Sequence, residues 1–320
     1  MRISPLKNLL AGAALLALTC VPALAEAPKE EKIPLAELWT QTSAEYRGLC
    51  YQAYNTASLQ FDNWAPLLTK GVDGKAYLPG STKPVAIILD LDETVINNSG
   101  YQAYLYRTDS TFTTKVRDAW VQFQAQNISA GPPLPGAVDF LKKVEAMGVT
   151  PIFISNRAAG YEKETIQVLR NYGINTDNIE DRLLLRKDGD ALTQQDREYL
   201  KAAGLSEDKS ASVAVFQGEG HKEGRRLYIQ TSYDVLAYFG DVYGDFEPFV
   251  ALADSGLKKF QQRNASAEAN RDKFGRSWFI LPNPMYGYWG VGAAIPEGKV
   301  KESLSDYGFE VFLRGRRLIK

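Results

Sequence analysis

The sequence has very little histidine and cysteine, and this excludes several kinds of chemistry. Its 320 residues include one histidine, His221, and two cysteines, Cys20 and Cys50. One histidine argues against a phosphohistidine mechanism, a Ser-His-Asp triad and a histidine-rich dinuclear metal site. Two cysteines argue against a cysteine-rich zinc site, and Cys50 is expected to be a buried structural residue. The chemistry that remains uses carboxylates, hydroxyls, lysine and cations such as Mg²⁺, which prefer oxygen ligands.

Long apolar runs and an excess of one charge are also absent. The formal net charge is −1, and no block of like charge dominates, so no nucleic acid polymer is expected as a partner. An apolar run at residues 9–21 is too short to span a bilayer. Arg2 and Lys7 precede this run, and the sequence ALA at residues 23–25 follows it. Together they predict a signal peptide of residues 1–25 and a protein with no stable membrane span.

Cys20 raises the alternative of a lipid-anchored protein. A lipid-attachment cysteine usually follows Gly, Ala or Ser, whereas Thr19 precedes Cys20 here. We therefore expect a periplasmic or secreted product that begins at Glu26, in preference to a lipid-anchored form or a retained anchor helix. Loss of Cys20 would leave Cys50 with no partner for an internal disulfide.

Alternating helix and strand patterns predict an α/β fold with a Rossmann-like parallel sheet. Residues 26–80 are predicted as an N-terminal helical segment, with its helix from about residue 35 to residue 68. Residues 81–320 are predicted as the core. Its strands are expected at residues 85–89, 149–155, 182–185, 235–239 and 279–281. Its helices are expected at residues 135–147, 161–172 and 194–203, and from residue 222 into the fourth strand.

An acidic motif follows the first buried strand directly. The sequence DLDET at residues 90–94 comes after five apolar residues. In open α/β sheets, ligands bind at the carboxyl ends of the strands, so Asp90 and Asp92 are candidates for chemistry. The alternative is a capping aspartate beside a solvated Asp-Glu pair.

Three motifs in order resemble those of the haloacid dehalogenase-like superfamily. DLDET matches the D-x-D-x-T/V pattern of its phosphatases, SNR at residues 155–157 matches the second motif, and GDVYGD at residues 240–245 matches the acidic fourth motif. Closer likeness comes from WTQTSAEY at residues 39–46, QAYN at residues 52–55 and LPNPMYG at residues 281–287. These resemble the class C bacterial acid phosphatases, which include lipoprotein 5′-nucleotidases. The resemblance extends from about residue 35 to residue 290.

The third motif of the family supplies a lysine, and two residues compete for this place. KEGRR at residues 222–226 fits the family's K-x-x-R pattern and favours Lys222. Lys187 is the alternative, because the chain departs from the family over an extra insertion at about residues 188–221. A solvated surface charge is the other interpretation of either lysine.

The resemblance implies a Mg²⁺-dependent acid phosphatase that hydrolyses phosphomonoesters through an aspartyl phosphate. Asp90 would be the nucleophile, and Asp92 would be the general acid and base, with a pKa above that of Asp90. One Mg²⁺ ion would be bound by Asp90, Asp92 through its backbone carbonyl, Asp241 and Asp245. Ser155, with the Asn156 backbone, would hydrogen-bond the phosphate, and Lys222 would neutralise the transferring group. Asn156 and Arg157 are the candidates to bind substrate beside it.

The resemblance also implies a small, mainly helical cap formed by the N-terminal helix and an insertion at about residues 97–133. Trp39 and Tyr101 are candidates to stack a nucleobase, as in a nucleoside 5′-monophosphate, with burial in the core as the alternative for each. A homodimer is expected from the family alone. A phosphotransferase of the same fold, or a catalytically silent phosphate-ester binding protein, remains an alternative function.

Overall fold

The computed structural model describes residues 34–110, 113–186, 222–247 and 256–287. Four sequence predictions lie outside these ranges: the signal peptide at residues 1–25, the insertion at residues 188–221, the helix at residues 194–203, and the position of Lys187. Among the described helices, none combines the length and the apolar character needed to cross a bilayer.

Helices and strands follow one another along the described parts of the chain, and five of these strands form one parallel sheet. The helices are α1 (Leu35–Thr42), α2 (Ala44–Trp64), α3 (Ser99–Arg107), α4 (Thr114–Gln126), α5 (Ala137–Ala146), α6 (Glu162–Asn171), α7 (Glu223–Ser232) and α8 (Gly256–Ala269). The strands are β1 (Thr69–Lys70), β2 (Ala76–Tyr77), β3 (Val85–Leu89), β4 (Thr150–Ala158), β5 (Leu183–Arg186), β6 (Asp234–Gly240) and β7 (Trp278–Ile280). The sheet has the order β5-β4-β3-β6-β7 with all pairs parallel, while β1 and β2 form a small antiparallel pair.

Strand β3 is at the centre of the sheet and is buried on both faces. Because side chains alternate along a strand, Val85, Ile87 and Leu89 join the larger core cluster, and Ala86 and Ile88 join a second cluster on the opposite face. All five residues are buried. The continuous apolar run therefore predicted a central parallel strand correctly, since both of its faces are covered.

The larger cluster is aromatic where α2 and α5 cover the sheet. The ring centroids of Tyr54 and Phe140 are 5.5 Å apart, and Phe239 of β6 lies 4.9 Å from Phe140. Tyr54 also stacks on Phe239 at 5.9 Å. These rings fix α2 on the sheet beneath the ends of β3 and β6.

The N-terminal helix differs from the prediction of one continuous element. The chain is extended at Ser43, which separates α1 from α2. The Ser43 hydroxyl accepts a hydrogen bond from the Tyr46 backbone N–H at 3.0 Å, as an N-cap does. Helix α2 ends at Trp64, before a 3₁₀ turn over Ala65–Leu67 that contains Pro66.

The insertion at residues 97–133 contains α3 and α4, which agrees with a mainly helical cap. Helix α1 packs against α3, and the Gln41 side chain donates to the Ser99 carbonyl at 3.0 Å. Helix α2 instead packs against α5 and β7. The predicted N-terminal segment is therefore divided between the cap and the layer that covers the sheet.

Candidate active site

The functional side chains lie where the central strands end. Asp90 and Asp92 follow β3, and the Asp90 backbone N–H donates to the Phe239 carbonyl at 2.9 Å, so the loop begins in register with β6. Asp241 and Asp245 follow β6 in the same way. Neighbouring parallel strands end at one edge of the sheet, and the predicted acidic motifs are therefore brought together there.

Three carboxylates form a cluster at this edge. One oxygen from each of Asp90, Asp241 and Asp245 lies within 4.8 Å of the others. Asp90 and Asp245 are buried, and Asp241 is partly exposed. At Gly240 an added Cβ would lie 2.2 Å from the Asp245 carboxylate, so glycine leaves the space that this side chain occupies.

The crowding of these acids changes their proton affinity. Burial raises the pKa of Asp90 to about 7, with further increases from the charges of Asp245 and Asp92, while Lys222 opposes the change. Desolvation, followed by the charges of Asp245 and Asp90, raises the pKa of Asp241 well above its ordinary value. Clustered carboxylate oxygens that repel one another are suited to a hard divalent cation, which would favour their ionised forms. The residues present therefore fit the metal site implied by the sequence.

Lys222 lies among these carboxylates, immediately before α7. Its Nζ is 2.5 Å from Asp90 Oδ1 and 2.7 Å from Asp245 Oδ1, and the residue is buried. Burial disfavours the charged amine, but Asp245 and Asp90 outweigh it and raise the pKa of Lys222. The structure therefore brings Lys222 to the place predicted for the third-motif lysine.

Asp92 has a different set of neighbours on the cavity side. Arg157 Nε lies 3.1 Å from both carboxylate oxygens of Asp92, and Arg157 Nη2 lies 2.7 Å from Oδ1. The Asn98 amide donates to the same Oδ1 at 2.7 Å. Desolvation acts to raise the pKa of Asp92, but Arg157 and then Asn98 outweigh it, and the pKa is lowered.

Without a bound cation, this order is the opposite of the prediction that the pKa of Asp92 exceeds that of Asp90. The carboxylates of Asp241 and Asp245 were expected beside Asp90, but the sequence did not reveal that the Arg157 guanidinium faces Asp92. This contact also changes the interpretation of Arg157, which was predicted to contact substrate. Arg157 lines the cavity, but its described bonds hold Asp92 and the cap residue Gln124.

The second motif is positioned by an arginine to which sequence reasoning gave no role. Arg225 Nη1 donates to the Ser155 carbonyl at 2.7 Å, and its Nη2 donates to Asn156 Oδ1 at 2.7 Å. Burial lowers the pKa of Arg225 to about 10. The Ser155 hydroxyl is fully buried and accepts from the Arg157 backbone N–H at 3.2 Å, while Asn156 lines the cavity. The K-x-x-R spacing was the available signal for Arg225.

The loop after β7 also reaches the site. The Asn283 amide donates to Asp241 Oδ2 at 2.7 Å, and the Tyr286 hydroxyl donates to the Glu93 carboxylate. Glu93 is buried and has a left-handed backbone with φ of 56°, which is uncommon outside glycine. Burial, followed by the charge of Asp92, raises the pKa of Glu93 well above its ordinary value. The motif LPNPMYG therefore supports both the acidic cluster and the first-motif loop.

A cavity of about 490 Å³ opens above the carboxylates. Its base includes Asp90, Asp92 and Asp241, and its cap wall is formed by side chains of α3 and α4. The residues of the insertion that line it are Asn98, Tyr101, Gln102, Arg117, Trp120 and Val121.

Of the two aromatic residues predicted to stack a base, the structure places only Tyr101 in the cavity wall. The Tyr101 ring is 5.5 Å from that of Trp120. Trp39 is not among the lining residues; it packs against the main core and against Tyr46, with the two ring centroids 5.7 Å apart. The prediction for Trp39 is therefore corrected, because α1 directs this ring toward the core.

Comparison with known proteins identifies the family of the chain. Residues 14–289 match the family described as HAD superfamily, subfamily IIIB (Acid phosphatase). A solved structure of the class C acid phosphatase from Bacillus anthracis is 30% identical, with a TM-score of 0.59, over 81% of this chain and 86% of that chain. A structure of the class C acid phosphatase from Bacillus anthracis with tungstate bound is 31% identical, with a TM-score of 0.60, over 82% of this chain and 90% of that chain. The chain is thus a phosphoric monoester hydrolase that belongs to the acid phosphatases of HAD superfamily subfamily IIIB.

Proposed function

We propose that the chain hydrolyses phosphomonoesters with Asp90 as nucleophile, Asp92 as general acid and base, and one bound Mg²⁺ ion. One observation carries the proposal: the Asp90 carboxylate lines the cavity and belongs to the three-carboxylate cluster. Lys222 lies beside it with its Nζ 2.5 Å from Asp90 Oδ1. A nucleophile placed between cationic groups and an open cavity is suited to attack an anionic ester.

The carboxylates of Asp90, Asp241 and Asp245 would bind the metal ion, and the family resemblance adds the backbone carbonyl of Asp92. When bound, Mg²⁺ would reduce the repulsion between the nucleophile and the phosphate dianion. Asn283 supports Asp241 through its 2.7 Å hydrogen bond. Such outer partners orient metal ligands.

In the first step, an Asp90 oxygen forms a bond to phosphorus and the ester P–O bond breaks. Asp92 gives its proton to the leaving oxygen, which departs as the alcohol. Lys222 neutralises charge on the transferring group, and Asn156, which lines the cavity, donates a hydrogen bond to its oxygens. Ser155 was predicted to do the same, but its buried hydroxyl is outside the cavity lining and accepts from the Arg157 backbone N–H. Such acid–base assistance contributes roughly 10²–10⁴-fold to the rate.

In the second step, Asp92, now ionised, takes a proton from water as the water oxygen bonds to phosphorus. The bond between phosphorus and Asp90 breaks and inorganic phosphate leaves. Tungstate, bound in one of the similar structures, is a tetrahedral oxyanion like phosphate. This supports a phosphate ester, which carries the same type of tetrahedral oxyanion, as the substrate of this chain.

We further propose that nucleoside 5′-monophosphates are among the substrates. Tyr101 and Trp120 provide two aromatic faces in the cap wall, and Gln102 provides an amide beside them. Aromatic faces stack nucleobases, and amides can hydrogen-bond base edges. A comparison of kcat/KM for 5′-AMP and for ribose 5-phosphate, in wild type and Tyr101→Leu, tests this. A preference for 5′-AMP that Tyr101→Leu leaves unchanged would contradict it.

Export to the periplasm or medium is also proposed, on the basis of residues 1–25 alone. N-terminal sequencing of the protein recovered from the periplasmic fraction should begin at Glu26. A chain that retains residues 1–25 would contradict this.

A homodimer is proposed from the family resemblance, and sedimentation of the purified protein at several concentrations tests it.

The principal experiment measures phosphate release from p-nitrophenyl phosphate and 5′-AMP, with Mg²⁺ and with EDTA. Asp90→Asn should reduce kcat by about 10⁴-fold or more, since it removes the nucleophile. Asp139→Asn changes an exposed carboxylate of α5 and serves as the matched control. EDTA should abolish wild-type activity, and added Mg²⁺ should restore it. Full activity of Asp90→Asn, or activity that persists in EDTA, would reject the proposal.

A further inference from the structure

A closed ring of hydrogen bonds joins four side chains, those of Asp92, Arg157, Gln124 and Asn98. Arg157 Nη2 donates to Asp92 Oδ1 at 2.7 Å and to Gln124 Oε1 at 2.8 Å. Gln124 Nε2 donates to Asn98 Oδ1 at 3.1 Å, and Asn98 Nδ2 donates back to Asp92 Oδ1 at 2.7 Å. Two members of the ring come from the insertion, and Gln124 is on the cap helix α4.

The chemistry of the donors fixes the direction of every bond in the ring. Trp120 Nε1, which can only donate, lies 3.1 Å from Asn98 Oδ1. The oxygen of Asn98 must therefore face the indole, and its NH₂ group must face Asp92. The Arg157 guanidinium also only donates, so the oxygen of Gln124 faces Arg157 and its NH₂ group faces Asn98. Only one orientation of each amide satisfies all of these partners.

Gln124 is positioned to connect Arg157 and Asn98 within the ring and not to contact substrate. The residue is 1% exposed and is not among those that line the cavity. An added Cβ on Gly131 would lie 1.9 Å from Gln124 Nε2, so a glycine at that position makes room for the amide. A buried amide with both ends bonded is a rigid connector, since loss of either bond leaves a buried polar atom unsatisfied.

We infer that Gln124 is a positioning residue for Asp92, which it holds toward the leaving group through Arg157 and Asn98. The inference rests on the proposed role of Asp92 as general acid. It means that proton delivery depends on the docked position of α4, because the cap supplies one side of the ring. The nucleophile Asp90 is not a member of the ring, so bond formation to phosphorus does not depend on it in the same way.

The test uses two substrates that differ in their need for a proton. p-Nitrophenolate leaves as a stable anion, whereas the alkoxide of glycerol 3-phosphate needs protonation as it departs. Gln124→Met keeps a similar volume but can neither accept from Arg157 nor donate to Asn98. Its kcat/KM should fall at least about tenfold more for glycerol 3-phosphate than for p-nitrophenyl phosphate. Gln122→Met, at an exposed position of the same helix, should leave both values unchanged.

A second variant and a second background keep the result interpretable. Gln124→Glu accepts from Arg157 but presents an oxygen to Asn98 Oδ1, so it should show the same differential loss. When Asp92→Asn is already present, Gln124→Met should not increase the difference between the two substrates in their loss of kcat/KM. An equal loss on both substrates, or a differential that persists without Asp92, would overturn the inference and assign Gln124 a packing role. If Asp92→Asn alone lowers kcat/KM equally for both substrates, the acid role of Asp92 fails and the inference fails with it. If Asp92→Asn discriminates between the substrates but the Gln124 variants do not, only the inference about Gln124 fails.

Discussion

Asp90 and Asp92 are two residues apart in one loop, yet their surroundings are opposite. Asp90 faces the carboxylates of Asp241 and Asp245 and the amine of Lys222. Asp92 faces the Arg157 guanidinium and the Asn98 amide, and its side chain is 31% exposed toward the cavity. The pKa of Asp90 is raised to about 7, while that of Asp92 is lowered.

The difference shows how one loop gives two carboxylates separate surroundings. Without a bound cation, the carboxylate proposed as nucleophile has the higher pKa, which is the reverse of the order that the proposed roles require. A divalent cation bound by the carboxylate cluster would favour the ionised form of Asp90. The strand-end side gathers negative charge and is suited to a metal ion, whereas the cap side orients one carboxylate with neutral and cationic donors. The aspartates are chemically identical, so the partners alone make this distinction.

Among changes to the partners of the two aspartates, the largest effect is expected from removal of the Lys222 amine on the Asp90 side. Lys222→Met should lower kcat by about 10²–10³-fold, because charge that builds on the transferring group would no longer be neutralised. The loss should be similar for aryl and alkyl phosphates, unlike a loss on the Asp92 side. Steady-state kinetics on both substrates measures this, with the exposed Lys142→Met as control. An unchanged kcat would show that Lys222 does not neutralise charge on the transferring group.

A smaller effect should separate metal affinity from chemistry. Asn283→Leu removes the hydrogen bond to Asp241 Oδ2 and should weaken Mg²⁺ binding by about 10–100-fold. Activity titrated with Mg²⁺ should show a higher half-saturating concentration and a nearly normal kcat at saturation. Asn63→Leu, at an exposed position of α2, is the matched control. Normal Mg²⁺ dependence in Asn283→Leu would show that Asp241 needs no such support.

The Asp92 side can be tested through pH. The proposed general acid, Asp92, would have to be protonated when the alcohol leaves, so kcat/KM for an alkyl phosphate should fall as pH rises through the pKa of Asp92. Arg157 holds this pKa low. Arg157→Met should therefore move the fall to higher pH by about 1–3 units, and Arg157→Lys should move it less. Arg170→Met changes an exposed arginine and serves as the control. If the pH dependence of kcat/KM does not move in Arg157→Met, Arg157 does not set the pKa of the proton donor.

The smallest effect concerns stability without metal. Between the ordinary Asp90 pKa of 3.8 and its folded value of about 7, the native state binds more protons than the unfolded state. Stability in EDTA should therefore fall as pH rises through this window, and Asp241 and Glu93 contribute in the same direction. Asp90→Asn should flatten this slope, which melting temperatures at pH 4.5 and pH 7 measure. An unchanged slope would show that Asp90 is not the group responsible.

Much of the fold could be predicted because its signals are local. Strand β3 has the predicted bounds of residues 85–89, since an apolar run between Pro84 and an acid has few other interpretations. The break at Ser43 was missed because the apolar periodicity continues across it. Trp39 was misplaced for a related reason: periodicity indicates that a ring is on an apolar face, but not which neighbour covers that face.

The sequence by itself determined the α/β fold, the acidic motifs at the strand ends and the type of chemistry, because each depends on residues close together in the chain or on family resemblance. Only the tertiary structure decided which partners each carboxylate has. Arg157 is 65 positions from Asp92, and Lys222 is 132 positions from Asp90. Contacts over such separations arise when the strands align and the cap docks, and the electrostatic surroundings of each aspartate follow from that packing.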